Sequence, residues 1–361
     1  MMSCTAEKKQ TLTITNPLAV ERAEVLSIPY TDFKQIYNRS EAFRLIDEKN
    51  KEYTYQLEKG EGDSTQNVLV WVELPANGTI TLQVQPGKPK PMEARTFARY
   101  VPERFDDFAW ENDKIAFRMY GKALEGRPDN AEGADIWAKR TDKLVVNEWY
   151  KKGDYHKDHG EGMDFYDVGM TLGAGDIAPY ADGKIIFSKH YREYDVLENG
   201  PLRSMFRLKY EPWEVNGKKV SVTKTISLDA GAQLNRVTAV YTVEGADADR
   251  LPVVAGIVLR KGEGGQAMKL TDAKVAAYWE PAHGADGTLG IAVLGESPID
   301  SITENNGHLL AHFTATSGKP VIYYNGGAWD KAGKITNAKQ WEEYLRNEQE
   351  KQEHPLAISI K

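Results

Sequence analysis

Histidines, carboxylates and tyrosines are concentrated between residues 153 and 175, in the stretch GDYHKDHGEGMDFYDVGMTLGAG. His156 and His159 are three residues apart, and acidic side chains lie beside them. Frequent glycines disfavour a regular helix or strand, so the stretch is predicted to be a loop or a series of bulged turns. Loops held by a rigid sheet often carry binding and catalytic residues. This loop is therefore the first place to look for a functional site.

Three interpretations of the loop are open. In the first, a histidine or a tyrosine moves a proton and a carboxylate orients it; the candidates are His156, His159, Tyr155 and Tyr166. In the second, the loop binds a metal ion, with the two histidines and Glu161 suiting Zn²⁺. The oxygen ligands suited to Ca²⁺ would be Asp158, Glu161 and Asp164. The spacing matches neither a helical H-E-x-x-H motif nor an EF-hand loop. In the third, the loop is a solvated polar surface.

A second group of basic side chains lies in residues 188–210. His190, a fifth candidate for a catalytic residue, shares a parity with Arg192, so on a strand the two would point to one face. Arg203 and Arg207 would likewise share a face of the next strand. The planar fork of arginine binds carboxylates through two hydrogen bonds, which would suit an acidic sugar such as a uronate. Alternatively, these arginines pair with acidic residues across a wet sheet face.

Residues 135–150, DIWAKRTDKLVVNEWY, begin with a strand-like pattern. Trp137 and Lys139 share one parity, and their side could face the same groove. Trp137 could equally be a core residue, which is the commoner position of a tryptophan in a strand. Arg140 and Trp110 complete the set of candidates for substrate binding.

Alternating apolar and polar residues predict strands along most of the chain. After a tether at residues 1–10, residues 11–88 would form a small β-sandwich whose clearest hairpin, over 66–87, turns at Pro-Ala-Asn-Gly. Residues 89–361 hold more strand-like runs than an immunoglobulin-like sandwich, which favours two large packed antiparallel sheets carrying the sugar site. Only residues 337–354 are predicted to be helical. The predicted class is all-β, with a small sandwich followed by a large antiparallel supersandwich.

Composition excludes several classes of function. The chain of 361 residues has a formal net charge of −7 and no basic block, which argues against nucleic acid as a partner, since phosphate binding needs concentrated positive charge. P-loop, Rossmann and nucleophile-elbow motifs are absent from the sequence, which argues against nucleotide-dependent enzymes and α/β-hydrolases. The 18 tyrosines and 8 tryptophans fit a β-rich, sugar-binding protein.

Cys4 is the only cysteine of the chain, so a disulfide framework within it is excluded. In MMSCTAEKK it precedes a polar tether, as does the acylated cysteine of a bacterial lipoprotein, although no apolar signal segment precedes it. The alternative is a cytoplasmic protein with a free cysteine. We favour a lipoprotein of the periplasm or outer membrane, which would touch the membrane only through a lipid on Cys4.

Five segments together resemble the domain of unknown function 4861 family: TITNPLAVERAEVLSIPY, WENDKIAFRMYGKAL, GADIWAKR, YHKDHGEGMDFYDVGMTLGAG and HYREYDVLENGPLRSMFRLKYEPW. The likeness covers nearly the whole chain after residue 11. It implies a supersandwich like that of galactose mutarotases and several lyases. It also implies a bacterial protein outside the cytoplasm, encoded beside glycan-degrading enzymes. It assigns no catalytic residue.

The predicted function is that of a carbohydrate-active enzyme that cleaves uronic-acid-containing oligosaccharides by β-elimination. An arginine would neutralise the substrate carboxylate, a histidine would remove the C5 proton, and a tyrosine would protonate the leaving oxygen. The alternatives are a glycoside hydrolase or mutarotase-like epimerase, and a non-catalytic glycan-binding lipoprotein. The expected partner is an acidic oligosaccharide, with no nucleotide and no nucleic acid. No cofactor is certain, and a bound Ca²⁺ or Zn²⁺ would take over charge neutralisation.

Overall fold

The computed structural model describes residues 11–38, 41–60, 62–245, 250–270 and 274–361. These residues form two compact units. The first unit comprises residues 11–94, Gly200–Leu202 and Glu350–Lys361, and the second comprises Arg95–Asn199 and Arg203–Gln349. The predicted tether and Cys4 lie outside the described residues. The assignment of 11–88 and 89–361 to separate domains stays a prediction.

Strands are the commonest element of the described chain. Up to residue 112 they are β1 (Thr11–Thr15), β2 (Arg22–Pro29), β3 (Phe43–Ile46), β4 (Glu52–Tyr53), β5 (Tyr55–Lys59), β6 (Thr65–Leu74), β7 (Thr79–Pro86), β8 (Thr96–Val101) and β9 (Asp107–Asn112). Up to residue 229 they are β10 (Ile115–Met119), β11 (Ala134–Lys139), β12 (Gly162–Met163), β13 (Ala174–Ala181), β14 (Lys184–Ile185), β15 (Glu193–Asn199), β16 (Arg203–Val215) and β17 (Lys218–Asp229). Beyond it they are β18 (Leu234–Val243), β19 (Arg250–Val258), β20 (Gln266–Leu270), β21 (Val275–Trp279), β22 (Leu289–Gly295), β23 (Ser301–Asn305), β24 (His308–Thr316), β25 (Pro320–Trp329) and β26 (Ala357–Ile360). The α-helices are α1 (Tyr30–Phe33), α2 (Val146–Lys152) and α3 (Ala338–Glu353).

In the first unit, a five-stranded sheet has the order β26-β1-β7-β3-β4 and a three-stranded sheet has the order β2-β6-β5. β1 alternates between half-buried threonines and the fully buried Leu12 and Ile14, the period of a strand with one face on a core. Those side chains pack with Ile28, Val70 and Leu82 in one apolar cluster. The first unit therefore has a hydrophobic core of its own.

The prediction of a hairpin over residues 66–87 is wrong. β6 and β7 are joined by a turn in which Asn77 has a left-handed φ of 53°, as Asn-Gly favours. However, β6 pairs with β2 and β5, whereas β7 pairs with β1 and β3. The turn therefore carries the chain from one sheet to the other, because local sequence encodes a turn but does not choose the strand's partner.

The second unit contains an eight-stranded sheet in the order β15-β16-β17-β18-β25-β22-β21-β20. It also contains two five-stranded sheets, in the orders β14-β13-β19-β24-β23 and β12-β11-β10-β9-β8. Side chains from all three sheets, such as Phe117, Ile177 and Phe206, share one large apolar cluster. The prediction of an all-β fold with a C-terminal helix is confirmed. α1 and α2 were not predicted, because helices of four and seven residues show no clear period.

Candidate functional site

The sheet of β8–β12 carries charged side chains on the face opposite its aromatic core. Arg118 of β10 lies directly across from Asp135 of β11 and from Ala109 of β9. Because alternate residues of a strand share a face, Asp107 projects on the same side as Ala109. The residues that alternate with these along the strands, such as Phe117, point into the large apolar cluster of the second unit. β9, β10 and β11 thus bring two carboxylates and one guanidinium together.

Arg118 binds these carboxylates and a third one from the loop after β12. It donates to Asp135 with distances of 2.9 Å from Nε and 2.6 Å from Nη2. Nη2 also lies 3.2 Å from Asp164, and Nη1 lies 3.7 Å from Asp107. All four side chains are almost completely buried, with exposures of 6% or less. One cation therefore faces three carboxyl groups in a site that excludes most water.

Burial raises the pKa of all three carboxyl groups. The pKa of Asp107 is raised to about 7 by loss of solvation, against the opposing effects of Arg118 and Arg104. Loss of solvation also raises the pKa of Asp135 and, well above its ordinary range, that of Asp164. Asp107 Oδ1 is buried and has no hydrogen-bond partner in the described part of the chain. Asp107 can therefore hold or release a proton near neutral pH, as a general acid requires.

His156 lies beside this cluster in a fixed tautomer. Its Nδ1 is 2.9 Å from the backbone carbonyl oxygen of Asp164, which can only accept, so Nδ1 carries the hydrogen. The neutral ring then has its lone pair on Nε2, which has no partner among the described residues. The side chain is 60% exposed. His156 thus exposes an imidazole nitrogen without a hydrogen-bond partner beside the cluster, and its predicted role in catalysis stays a prediction.

The loop of His156 is held by aromatic packing. α2 ends at Lys152 and is capped by Gly153, which has a left-handed φ of 73°. The ring of Tyr155 stacks on Trp137 with ring centroids 5.2 Å apart. The Tyr155 hydroxyl accepts a hydrogen bond of 3.1 Å from Arg104 Nε. The backbone N–H of Asp164 donates to the carbonyl oxygen of Tyr155 at 2.8 Å, which closes the loop.

A cavity of about 490 Å³ opens over these groups, and we call it the Asp107 cavity. Its lining includes Arg104, Asp107, Arg118, Asn130, His156, Asp164 and Tyr166. The two terminal nitrogens of Arg104 have no hydrogen-bond partner in the described ranges, so its guanidinium fork can bind an anion. The Tyr166 hydroxyl is also buried without a partner. The cavity therefore brings together the imidazole of His156, the carboxyl group of Asp107 with its raised pKa, and the open guanidinium fork of Arg104.

The other predicted catalytic residues lie outside this centre or serve its packing. His159 is exposed, pairs with Asp154 at 3.2 Å and does not line the Asp107 cavity. Tyr155 is buried and bonded to Arg104, which makes it a supporting residue. His190 is buried, and its Nε2 lies 2.8 Å from Asn130 Oδ1, so it reaches the cavity only through Asn130.

The three arginines predicted to bind a substrate carboxylate each bind a carboxylate of the protein instead. None of them lines the Asp107 cavity. The pairs are Arg192 with Glu125 at 2.7 Å, Arg203 with Asp229 at 2.5 Å and Arg207 with Asp195 at 4.0 Å. The pairs of Arg203 and Arg207 join neighbouring strands of the sheet, as in the alternative interpretation, whereas Arg192 and Glu125 both lie outside the strands.

Trp110, Trp137 and Lys139 are buried and do not face a groove. The Trp110 indole donates to Asn235 at 2.7 Å within the core. Lys139 donates to Glu111 at 2.7 Å, and Glu111 also accepts the first N–H groups of α2. Lys139 therefore stabilises the helix start rather than a ligand.

The proposed metal ligands do not converge. Asp158 accepts from two backbone N–H groups and pairs with Arg140 at 2.8 Å, whereas Glu161 pairs with Lys143 at 3.5 Å. Asp164 belongs to the buried Arg118 cluster. Across the described ranges, no three His, Cys, Asp or Glu side chains form a group that could hold a metal ion. The structure gives Arg140, Asp158 and Glu161 roles in fixing the loop.

Four residues of the centre were not assigned a role from the sequence: Arg104, Asp107, Arg118 and Asp135. The sequence contained one signal for Arg118 and Asp135. Each is a charged residue between large apolar neighbours inside a strand, in AFRMY and ADIWA. Such residues are rarely buried without a partner. Arg104 gives no such signal, because it lies in a short connection after β8.

The raised pKa of Asp107 predicts that the free energy of unfolding falls as pH rises. In the folded chain the pKa is about 7, against an ordinary value of 3.8. Between these values the folded chain holds a proton that the unfolded chain has lost, so stability should decrease by up to about 1.4 kcal/mol per pH unit and then level off above pH 7. Asp107→Asn should remove the contribution of Asp107, so the stability of the variant should fall less steeply with pH. Urea unfolding of both proteins from pH 5 to 8 checks it, and parallel curves would contradict the assignment.

Among the described residues, no helix has both the length and the apolar character needed to cross a bilayer. This observation concerns helices alone.

The chain resembles several known proteins. It is 31% identical over 375 residues to the uncharacterized protein P7 of Formosa agariphila, covering 97% of this chain and 93% of that protein. A solved protein of glycosyl hydrolase family 38 from Enterococcus faecalis superposes with a TM-score of 0.52 and 11% identity, over 99% of this chain. An α-mannosidase from Enterococcus faecalis V583 gives a TM-score of 0.49 and 10% identity over 98% of this chain. The chain spans about half the length of these solved proteins, at 48% and 46%.

At 11% identity, the likeness to the family 38 protein shows a shared fold and nothing finer. The family match is far more extensive, because the model of the Domain of unknown function (DUF4861) matches residues 14–358. The resemblance found in the sequence is confirmed, and the chain belongs to the DUF4861 family.

Proposed function

We propose that the protein is a carbohydrate-active enzyme that cleaves uronic-acid-containing oligosaccharides by β-elimination in the Asp107 cavity. The observation that carries the proposal is the convergence of His156, Asp107 and Arg104 on one cavity. The fold shared with a glycosyl hydrolase family 38 protein is consistent with a carbohydrate substrate. The family resemblance, with its setting among glycan-degrading enzymes, supports the acidic substrate.

Each step of β-elimination has a residue to perform it. The fork of Arg104 would bind the C6 carboxylate and make the C5 proton more acidic. The lone pair on His156 Nε2 would take that proton. The electrons would form the C4–C5 double bond while the C4–O4 bond breaks, and protonated Asp107 would give its proton to the leaving oxygen. The products are one unsaturated uronide and one free hydroxyl end, with all protons accounted for.

Arg118 would act on the protein rather than on the substrate. Its contacts with Asp135 and Asp164 hold the wall of the cavity, and its weaker contact with Asp107 leaves that acid able to bind a proton. The carbonyl oxygen of Asp164 keeps His156 in the tautomer that can accept. Arg118 would thus form the ion pairs of the cavity wall, whereas Asp107 and His156 would transfer the protons.

Hydrolysis is the second candidate, and the grouping of three carboxyl groups favours it. A protonated Asp107 could serve as general acid, with an ionised neighbour activating water. Ultraviolet absorbance separates the two reactions. Elimination creates an absorbing C4–C5 double bond, whereas hydrolysis creates reducing ends without that absorbance. A panel of uronides that gives neither signal would contradict both candidates and leave a glycan-binding protein.

Arg104→Gln should weaken the binding of a uronide substrate while leaving the fold intact. Glutamine keeps a donor for the Tyr155 hydroxyl but removes the charged fork, so we expect KM to rise by about 10- to 100-fold with a smaller change in kcat. Arg127→Gln is the matched control, because Arg127 is exposed and pairs with Asp129 at 2.8 Å. Initial rates over a range of substrate concentrations measure both constants. Equal KM values in the two variants would remove Arg104 from substrate binding.

We also propose that the protein works outside the cytoplasm, tethered through a lipid on Cys4. Metabolic labelling with a fatty acid would mark the wild type and not Cys4→Ser. Labelling that is absent from both proteins would contradict the anchor.

A further inference from the structure

The connection between β8 and β9 carries two of the three groups that the proposed reaction uses. β8 ends at Val101 and β9 begins at Asp107, and these two residues pair across the hairpin. Arg104 lies within the connection, and both Arg104 and Asp107 line the Asp107 cavity. The conformation of the two residues between them, Phe105 and Asp106, therefore sets how the guanidinium and the carboxyl group lie relative to one another.

Phe105 and Asp106 both have a left-handed backbone. Phe105 has a φ of 53° and a ψ of 39°, and Asp106 has a φ of 63°. Residues with a Cβ rarely adopt this region, and a bulky residue is strained there. The other non-glycine residues with a positive φ in the described part of the chain are all asparagine or aspartate, which tolerate it best. A phenylalanine does not favour this conformation by itself, so contacts with other segments must hold the turn.

Three segments hold the turn at Asp106. The Tyr100 hydroxyl of β8 donates to Oδ1 of Asp106, and the Tyr191 hydroxyl donates to its carbonyl oxygen. Tyr191 is 3% exposed, so water cannot easily compete for the second bond. Gly121 lies against the same carbonyl group, because a Cβ at residue 121 would overlap that oxygen. The φ of Gly121 is an ordinary −101°, so the close approach, and not the backbone, requires glycine at this position.

Both ends of the turn are fixed to the cavity wall. Arg104 Nε donates to the Tyr155 hydroxyl at 3.1 Å, and the carboxyl group of Asp107 lies 3.7 Å from Arg118. Between these ends, the ring of Phe105 packs against the large apolar cluster of the second unit. A turn that relaxed to a negative φ would change the direction of the chain between Arg104 and Asp107, and the two ends could not both keep their contacts.

We propose that Asp106 and Tyr191 are positioning residues of the reaction. The left-handed turn that they hold aims the guanidinium of Arg104 and the carboxyl group of Asp107 at one substrate, whose identity rests on the proposed function. Neither Asp106 nor Tyr191 lines the cavity, so both act through these two groups. The contacts of the turn offset its strain, as is common where a chain places catalytic groups.

The test compares two variants with a matched control. Gly121→Ala adds a methyl group that must displace the carbonyl group of Asp106, and Tyr191→Phe removes only the hydroxyl that binds it. Tyr55→Phe is the control, because the buried Tyr55 also donates to a backbone carbonyl oxygen, that of Phe43 at 2.9 Å, in the core of the first unit. The kcat/KM is measured from pH 5 to 9 for the uronide that the absorbance panel identifies.

We expect kcat/KM to fall by about 100-fold in Gly121→Ala and about tenfold in Tyr191→Phe, because small displacements of reacting groups have effects of this size. A loss of folded protein would lower the rate equally at every pH. A displaced turn instead admits water to Asp107, whose pKa burial raises to about 7, so the basic limb of the pH profile should move to lower pH. A basic limb that stays at the position of Tyr55→Phe in both variants would overturn the proposal.

Two replacements of Asp106 separate positioning from packing. Asparagine keeps an acceptor for the Tyr100 hydroxyl and tolerates a left-handed backbone, whereas alanine does neither. Asp106→Asn should therefore keep kcat/KM within about threefold of wild type, and Asp106→Ala should lose about as much as Gly121→Ala. Equal losses in Asp106→Asn and Asp106→Ala would remove Asp106 from the positioning role.

The turn and the reaction can fail separately. The difference in unfolding free energy between a protein and its Asp107→Asn counterpart, followed against pH, reports the pKa of Asp107 without a substrate. If no uronide gives product but this pKa is lower in Gly121→Ala and Tyr191→Phe than in Tyr55→Phe, the reaction is wrong and the positioning of Asp107 stands. If product forms and neither variant differs from the control in rate or in this pKa, the reaction stands and the positioning is wrong. Neither product nor a lower pKa would contradict both.

Discussion

Asp107→Asn is expected to lower kcat for a uronide substrate by about two to four orders of magnitude, the usual contribution of a positioned general acid. Asparagine has nearly the same shape but cannot give a proton to the leaving oxygen. The KM should change little, because Arg104 still binds the carboxylate. Stopped-time absorbance assays at pH 6 to 8 measure kcat.

Asp154→Asn is the control for this loss. Asp154 belongs to the same loop as His156 but is exposed and pairs with His159 at 3.2 Å. Its replacement should leave kcat within about twofold of wild type, since exposed ion pairs contribute little. If Asp107→Asn turns over substrate as well as Asp154→Asn does, the proton comes from another group and the mechanism must be reassigned.

Arg118→Met is expected to destabilise the fold by about 3 to 5 kcal/mol near neutral pH, because it leaves buried carboxyl groups without their cation. The loss should be smaller near pH 5. Burial raises the pKa of Asp107, Asp135 and Asp164 even with Arg118 present, so a lower pH favours the uncharged form of these groups and reduces the cost of losing their cation. Urea unfolding at pH 5 and pH 8, followed by tryptophan fluorescence, gives both values.

Arg346→Met serves as the matched control. Arg346 pairs with Glu342 at 2.8 Å on the exposed side of α3, so its replacement should change stability by about 0.5 kcal/mol or less. A second variant, with Asp135→Asn added to Arg118→Met, should recover part of the loss because it removes one unpaired charge. Equal destabilisation by Arg118→Met at both pH values would show that packing, not charge, explains the effect.

The sequence was sufficient for the fold class because most strands alternate over a buried face, as β1 and β16 do. It was insufficient for pairing. The Asn77 turn was recognised, yet β6 and β7 belong to different sheets, and pairing is a long-range property that no local pattern contains. The register that places Arg118 opposite Asp135 is likewise a long-range property of strand pairing.

The loop of His156 could be found from the sequence because its composition is unusual for any regular element. The role of each charged residue could not. Arg192 and Arg104 have the same side chain, but Glu125 already occupies the fork of Arg192, whereas the terminal nitrogens of Arg104 have no partner in the described part of the chain. Whether a carboxylate of the protein reaches a given arginine depends on contacts between segments far apart in sequence.

The strand order of the first unit has a consequence for protein synthesis. β1, at Thr11–Thr15, pairs on one side with β26, at Ala357–Ile360, and Leu356 packs into the core of the same unit. The ribosome delivers β1 long before β26, so the edge of β1 that pairs with β26 stays unpaired while the residues between these two strands are translated. Folding during synthesis normally proceeds from the amino terminus, but the sheet that contains β1 is completed only when β26 has been made. A chaperone that shields the edge strand would therefore act throughout elongation.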